Sequence, residues 1–131
     1  MKGFIADIEG LTERNTGFRH VLYTGQNLQL VLMSLKPGED IGGETHATHD
    51  QFFRIETGSG HVVIDSVRHA VNAGEGIVVP AGAHHNLINS GAVAMKLYTI
   101  YGPPHHLDHL DVQTKADAEA SPEQFDGMTT E

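Results

Sequence analysis

Residues 74–89 read GEGIVVPAGAHHNLIN. The stretch has the build of two short strands around a corner: Gly76–Val79 is apolar and β-branched, Pro80-Ala81-Gly82 interrupts it, and His84–Asn89 resumes an extended pattern. Gly74 and Gly82 suit tight turns with φ > 0, and Pro80 presets φ at the strand end. His85 then starts a strand that points it inward, while His84, its neighbour, faces the other way.

Outward from this segment the chain continues in the same manner. Fifteen glycines and five prolines divide it into short runs rich in Val, Ile, Leu, Tyr, Phe and Thr. Strands are expected at Leu28–Leu35, Gln51–Thr57, Gly60–Asp65, Arg68–Val71, Gly76–Val79, His84–Asn89 and Met95–Tyr101. No helical period of useful length precedes residue 112, so the class is all-β, at the strand spacing of a sandwich or small barrel. A length of 131 residues fits one domain. Residues 1–111 are read as a single barrel domain including an N-terminal strand, and 112–131 as an acidic tail with a helical turn at 115–120 and a frayed end.

The offsets of Gly74, Pro80, Gly82, His85 and Asn89 resemble the second motif of the cupin superfamily at every position. The first motif of that family is present upstream in altered form. Gly38 and Gly58 frame it, His46 keeps the second histidine, Glu44 stands at the first histidine and Gln51 at the glutamate. The resemblance extends over about residues 2–117, to a small single-domain group associated with mannose-6-phosphate-isomerase-like proteins. Phosphate-binding residues of the larger sugar-phosphate isomerases are not evident, and that activity is not carried over. The resemblance implies a double-stranded β-helix of the cupin or jelly-roll type and a divalent metal held by Glu44, His46, Gln51 and His85. Fe, Mn, Ni and Zn all suit such imidazole and oxygen donors.

Two physical points bear on the altered set. Glu44 and His46 are two residues apart, so on an extended strand both leave the same face. One carboxylate, two imidazoles and an amide also carry the same single negative charge as three imidazoles and a carboxylate. Parity puts Phe53 and Ile55 on the inward face with Gln51, and turns Phe52 and Arg54 outward. An outward phenylalanine needs cover, and a homodimer, common in the family resembled, is expected. His49 is read as a rim residue, and with Glu44 as a candidate base for proton transfer. His61 and His69 are expected in an exposed hairpin. The tract His105-His106-Leu107-Asp108-His109 reads as a solvated loop or, if it folds over the barrel mouth, as a gate or acid/base group.

Composition sets the outer limits. Seventeen acidic against eight basic side chains give a formal charge of -9, with no basic run, which argues against nucleic acid and anionic membranes as partners. The absence of cysteine excludes disulfides, thiolate metal sites and cysteine nucleophiles. The N-terminal MKGFIADIEG lacks a long apolar run, so a cytoplasmic location is expected. Function then divides two ways. One is a metal-dependent enzyme on a small polar oxygenated substrate, by isomerisation or proton transfer, with oxidation by O2 second. The other is a small-molecule binding or sensing cupin without turnover.

Overall fold

The computed structural model describes residues 1–131 throughout. Ten strands and two short helices follow in the order α1 (Ile8–Arg14), β1 (Arg19–Thr24), β2 (Gln29–Leu35), β3 (Glu44–Thr45), β4 (Asp50–Thr57), β5 (Ser59–Ile64), β6 (Val67–Asn72), β7 (Gly76–Val79), β8 (His84–Ile88), β9 (Met95–Gly102), β10 (Asp111–Val112) and α2 (Lys115–Ala120). All pairings are antiparallel. A six-stranded sheet runs β10-β1-β2-β9-β4-β7, and a four-stranded sheet runs β3-β8-β5-β6. This is the all-β class expected from the strand pattern and the double-stranded β-helix that the resemblance implies. No helix is long and apolar enough to cross a membrane.

Alternation along the strands creates the core between the sheets. In β9 the buried residues are Met95, Leu97, Thr99 and Tyr101, and in β4 they are Gln51, Phe53 and Ile55. Register sets them side by side, as Gln51↔Tyr101, Phe53↔Thr99 and Ile55↔Leu97. From the other sheet His85, Leu87 and Val62 face them, so polar side chains collect at one end of the barrel above an apolar floor.

Two expectations require correction. Ile8–Arg14, where no helix was expected, is helical: Asp7 caps it by accepting from the Gly10 amide, and Asn15 closes it. It packs on β2, β4 and β9, and with Leu32 and Ser34 buried as well as the inward residues, β2 is almost wholly buried on both faces. Seven residues containing a glycine show no useful period, and docking supplies the stability that propensity lacks. The final residues are also not frayed. The Phe125 amide donates to the His105 carbonyl, Glu123 accepts from the Leu107 amide and meets His106, and the Thr130 amide donates to the Thr24 carbonyl. The tail is a strap laid back along the barrel.

Candidate metal centre

β3 is two residues long, yet its pairing fixes the site. Glu44↔His85 are register partners across β3 and β8, so their side chains leave the sheet on one face. His46 follows at the same parity. Gln51 enters from β4 on the opposite sheet, opposite Val79 and Tyr101. Glu44, His46 and His85 bring their donor atoms within 4.8 Å of one another and could hold a metal ion.

The contacts within the group are paired. His46 Nε2 lies 3.0 Å from Glu44 Oε2, and His85 Nε2 lies 3.1 Å from Gln51 Oε1. Gln51 is oriented by its amide nitrogen, which donates to Thr99 Oγ1 at 3.0 Å. On the far side of its ring, His85 Nδ1 lies 3.2 Å from the Ala83 carbonyl, an oxygen that only accepts. The neutral ring has one proton for two acceptor oxygens: on Nε2 it serves Gln51 Oε1, and on Nδ1 it serves the Ala83 carbonyl and leaves Nε2 a lone pair. In the second tautomer two acceptors, His85 Nε2 and Gln51 Oε1, face each other. A cation satisfies that arrangement, and both separations match the roughly 3.0 Å between adjacent ligands of an octahedral ion with bonds of about 2.1 Å. By this test of donor chemistry the residues fit a divalent ion.

Their protonation states suit the same use. Burial pushes the His85 imidazole down and outweighs the Ala83 carbonyl, which acts the other way, so the ring stays neutral. Burial alone would raise the Glu44 carboxyl, but the hydrogen bond and charge of His46 outweigh it and hold the group below the usual carboxylate range.

Around the centre lies a shell the sequence only partly announced. His105, in the tract read as solvated or as a gate, folds over the mouth: its ring centroid is 4.3 Å from that of His46 and 5.2 Å from that of His49. Burial, aided by the nearby His106 and His46, lowers its pKa to about 4. His49 sits at the rim as expected, but both its nitrogens are engaged. Nε2–H donates to the Pro104 carbonyl at 3.0 Å, and Nδ1 lies 3.0 Å from the Thr48 hydroxyl. His84 points away from the centre toward Thr45, and Arg54 pairs with Glu56 on the outer face. Phe52 is also outward, against Gly76 and 6.4 Å from Tyr98.

Gln29, Tyr101, His106 and Glu123 were not foreseen as a group. Buried Gln29 accepts from the amides of His105 and His106 and donates to the His106 carbonyl, which pins the loop over the mouth. The Tyr101 hydroxyl lies 3.2 Å from His106 Nε2, whose other nitrogen meets Glu123. Burial pushes the Tyr101 phenol far up, so it remains a donor to the imidazole. A buried glutamine in an apolar strand was the one available signal for the loop's anchor. A cavity of about 430 Å³ opens on the outer side of His105, lined by His49, Pro103, Pro104 and Phe125.

Comparison with known proteins places the chain. The family model described as "Cupin domain" matches residues 31–101. The chain is 45% identical over 126 residues to the uncharacterized protein YrkC of Bacillus subtilis, covering 92% of this chain and 68% of that protein. It is 41% identical over 107 residues to the uncharacterized protein L612 of Acanthamoeba polyphaga mimivirus, covering 79% and 67%. The crystal structure of BH2720 from Bacillus halodurans superposes with a TM-score of 0.90 at 42% identity, covering 92% of this chain and 96% of that one.

Proposed function

The chain belongs to the cupin family, and on that premise we propose that it is a metal-dependent enzyme acting on a small polar oxygenated metabolite by isomerisation or proton transfer. The observation that carries this reading is the convergence of Glu44, His46 and His85, whose donor atoms lie within 4.8 Å of one another, with Gln51 Oε1 3.1 Å from His85 Nε2. A divalent ion bound there supplies Lewis acidity toward a substrate carbonyl or hydroxyl. The protein does the rest. The Ala83 carbonyl can hold the proton of His85 on Nδ1 and free Nε2, Thr99 aims Gln51, and His46 keeps Glu44 ionised. With Glu44 committed to the ion, His49 is the rim residue for moving a proton, since the Thr48 hydroxyl on its Nδ1 can rotate away. Likeness to the mannose-6-phosphate-isomerase-like group adds no substrate to this reading.

Self-association belongs to the same proposal: Phe52, Tyr98 and the 69% exposed Val78 lie on the outer face of the large sheet, where a second copy would cover them.

Metal analysis of protein purified without a histidine tag tests the reading. Near-stoichiometric metal is expected in the wild type and loss of it in both His46→Ala and His85→Ala. A folded wild type that neither retains nor takes up Mn, Fe, Ni or Zn sinks it and leaves a metal-free binding protein. O2 consumption on adding a turned-over substrate replaces isomerisation by oxidation.

A further inference from the structure

Arg19 is the anomaly of the barrel interior. Its register partners run Arg19↔Met33↔Leu97↔Ile55 across β1, β2, β9 and β4, and those three partners are buried core residues. Residues opposed in register share a face, so the guanidinium leaves β1 toward the inside. Arg54 and Lys96, the other Lys or Arg side chains of this sheet, alternate outward: Arg54 is ion-paired with Glu56, although its Nε too lacks a well-directed hydrogen bond, and Lys96 donates to the Asn15 carbonyl. Arg19 takes part in none of the molecule's ion pairs. Its Nε is sealed from solvent with no hydrogen-bond partner; the guanidinium lies against the Phe18 ring, 5.2 Å from Cζ, and its charge helps hold Glu44 and Glu123 ionised without a direct ion pair to either. A buried donor without an acceptor is costly, and a permanently charged one more so.

What lies beside it is open space. A cavity of about 170 Å³ is walled by Arg19, Phe18 and Ile41 on one side, by Lys115 and Glu119 of α2 on another, and by Glu44. Lys115 is already bound to Asp40, so Arg19 is the cation left for an occupant. Glu44 belongs to both the cavity wall and the donor cluster, and it is the residue that joins the two.

We propose that Arg19 binds the carboxylate of a small organic acid whose second oxygen reaches the Glu44–His46–His85 centre, which makes hydroxy- or oxo-monocarboxylates the substrate class. The proposal rests on the metal-dependent reading above and specifies what that centre acts upon. A planar carboxylate matches the guanidinium fork and supplies the acceptor that Nε lacks. A phosphate dianion fits less well, because Glu44 and Glu119 share the wall and would repel the second charge.

Calorimetric titration of the metal-loaded protein at pH 7.5 with matched acids and amides tests this: glycolate and glycolamide, lactate and lactamide, pyruvate and pyruvamide, 3-hydroxybutyrate and its amide. At least one acid is expected to bind about tenfold or more tightly than its amide. Arg19→Met should abolish that preference, and Arg19→Lys should restore part of it. The assignment is overturned if no acid outbinds its amide in the wild type, if Arg19→Met keeps the preference, or if inorganic phosphate binds more tightly than every acid. Mn2+ titration followed by electron paramagnetic resonance is read separately. Arg19→Met should bind Mn2+ as the wild type does; a wild type that binds none defeats the metal centre, while the acid-to-amide ratio, measured without metal, still decides Arg19.

Discussion

Asn89 occupies a position in the motif that first suggested a metal site, yet its side chain holds backbone. It donates to the carbonyls of Leu35 and Val93 at 2.9 Å each and accepts from the Gly91 amide at 3.0 Å, wholly buried. Asn89→Ala strands a buried carbonyl and should cost about 2–4 kcal/mol in urea unfolding, with metal content per folded molecule unchanged. Glycines separate by the same logic. Gly82 has φ +91° with nothing near a would-be Cβ, so alanine there meets only backbone strain, about 1–2 kcal/mol. At Gly60 a Cβ would sit 2.1 Å from the Ile88 carbonyl oxygen, inside the β5–β8 pairing, and Gly60→Ala should destabilise more than Gly82→Ala although Gly60 lies outside the motif. Gln51→Leu removes a donor and leaves the Thr99 hydroxyl unpartnered; metal affinity should fall by about 10–100-fold, less than in His85→Ala, as read by chelator competition. Glu44, His46, Gln51 and His85 were legible through the resemblance to the cupin motifs, to which a two-residue offset and strand parity added the shared directions of their side chains. Arg19 and Gln29 were not, since an inward charge or amide differs from an outward one only through the register of strands far away in sequence.

The loop over the barrel mouth depends on Gln29 from β2 and Glu123 from the strap. Gln29→Ala removes the acceptor shared by two amides, and Glu123→Gln weakens the contact with His106 and the Leu107 amide. Both variants should stay folded, and both should speed hydrogen exchange at His105–Leu107 by about tenfold, corresponding to about 1–1.5 kcal/mol of local opening. Exchange in β4 and β9 should not change, and a global increase would show that the loop is part of the core rather than a cover. Composition could announce a helical turn at 115–120, because KADAEA is made of helix formers, but it misjudged both ends of the chain. α1 and the strap are short polar segments, and what orders them is a surface that exists only after the barrel has formed.

Acid should weaken the whole molecule, through buried imidazoles and paired carboxylates together. Burial places His85, His105 and His106 below the ordinary histidine value, His105 at about 4. Between those folded values and the unfolded value near ~6.5, the native state binds fewer protons than the unfolded chain. Stability is therefore fully present above that unfolded value and declines as pH falls through the window below it. Glu123 adds to the trend at lower pH: burial acts against it, but the bonds from His106 and the Leu107 amide leave its carboxyl depressed, so its contribution disappears as it protonates. Chelator-treated protein should show a melting temperature that drops between pH 7 and pH 5, and His106→Gln should flatten that drop; a profile independent of pH would contradict the burial of these rings. The sheet order has a kinetic counterpart. β2 lies between β1 and β9, and its ladder with β9 joins Leu35 to Met95 and Gln29 to Tyr101, so the centre of the large sheet closes a loop of some sixty residues or more. That closure must precede any gain from the pairing, so refolding should take milliseconds to seconds. A fragment ending before Met95 lacks the strand on which both β2 and β4 pair, and on a ribosome the large sheet can close only after β9, through Gly102, has emerged.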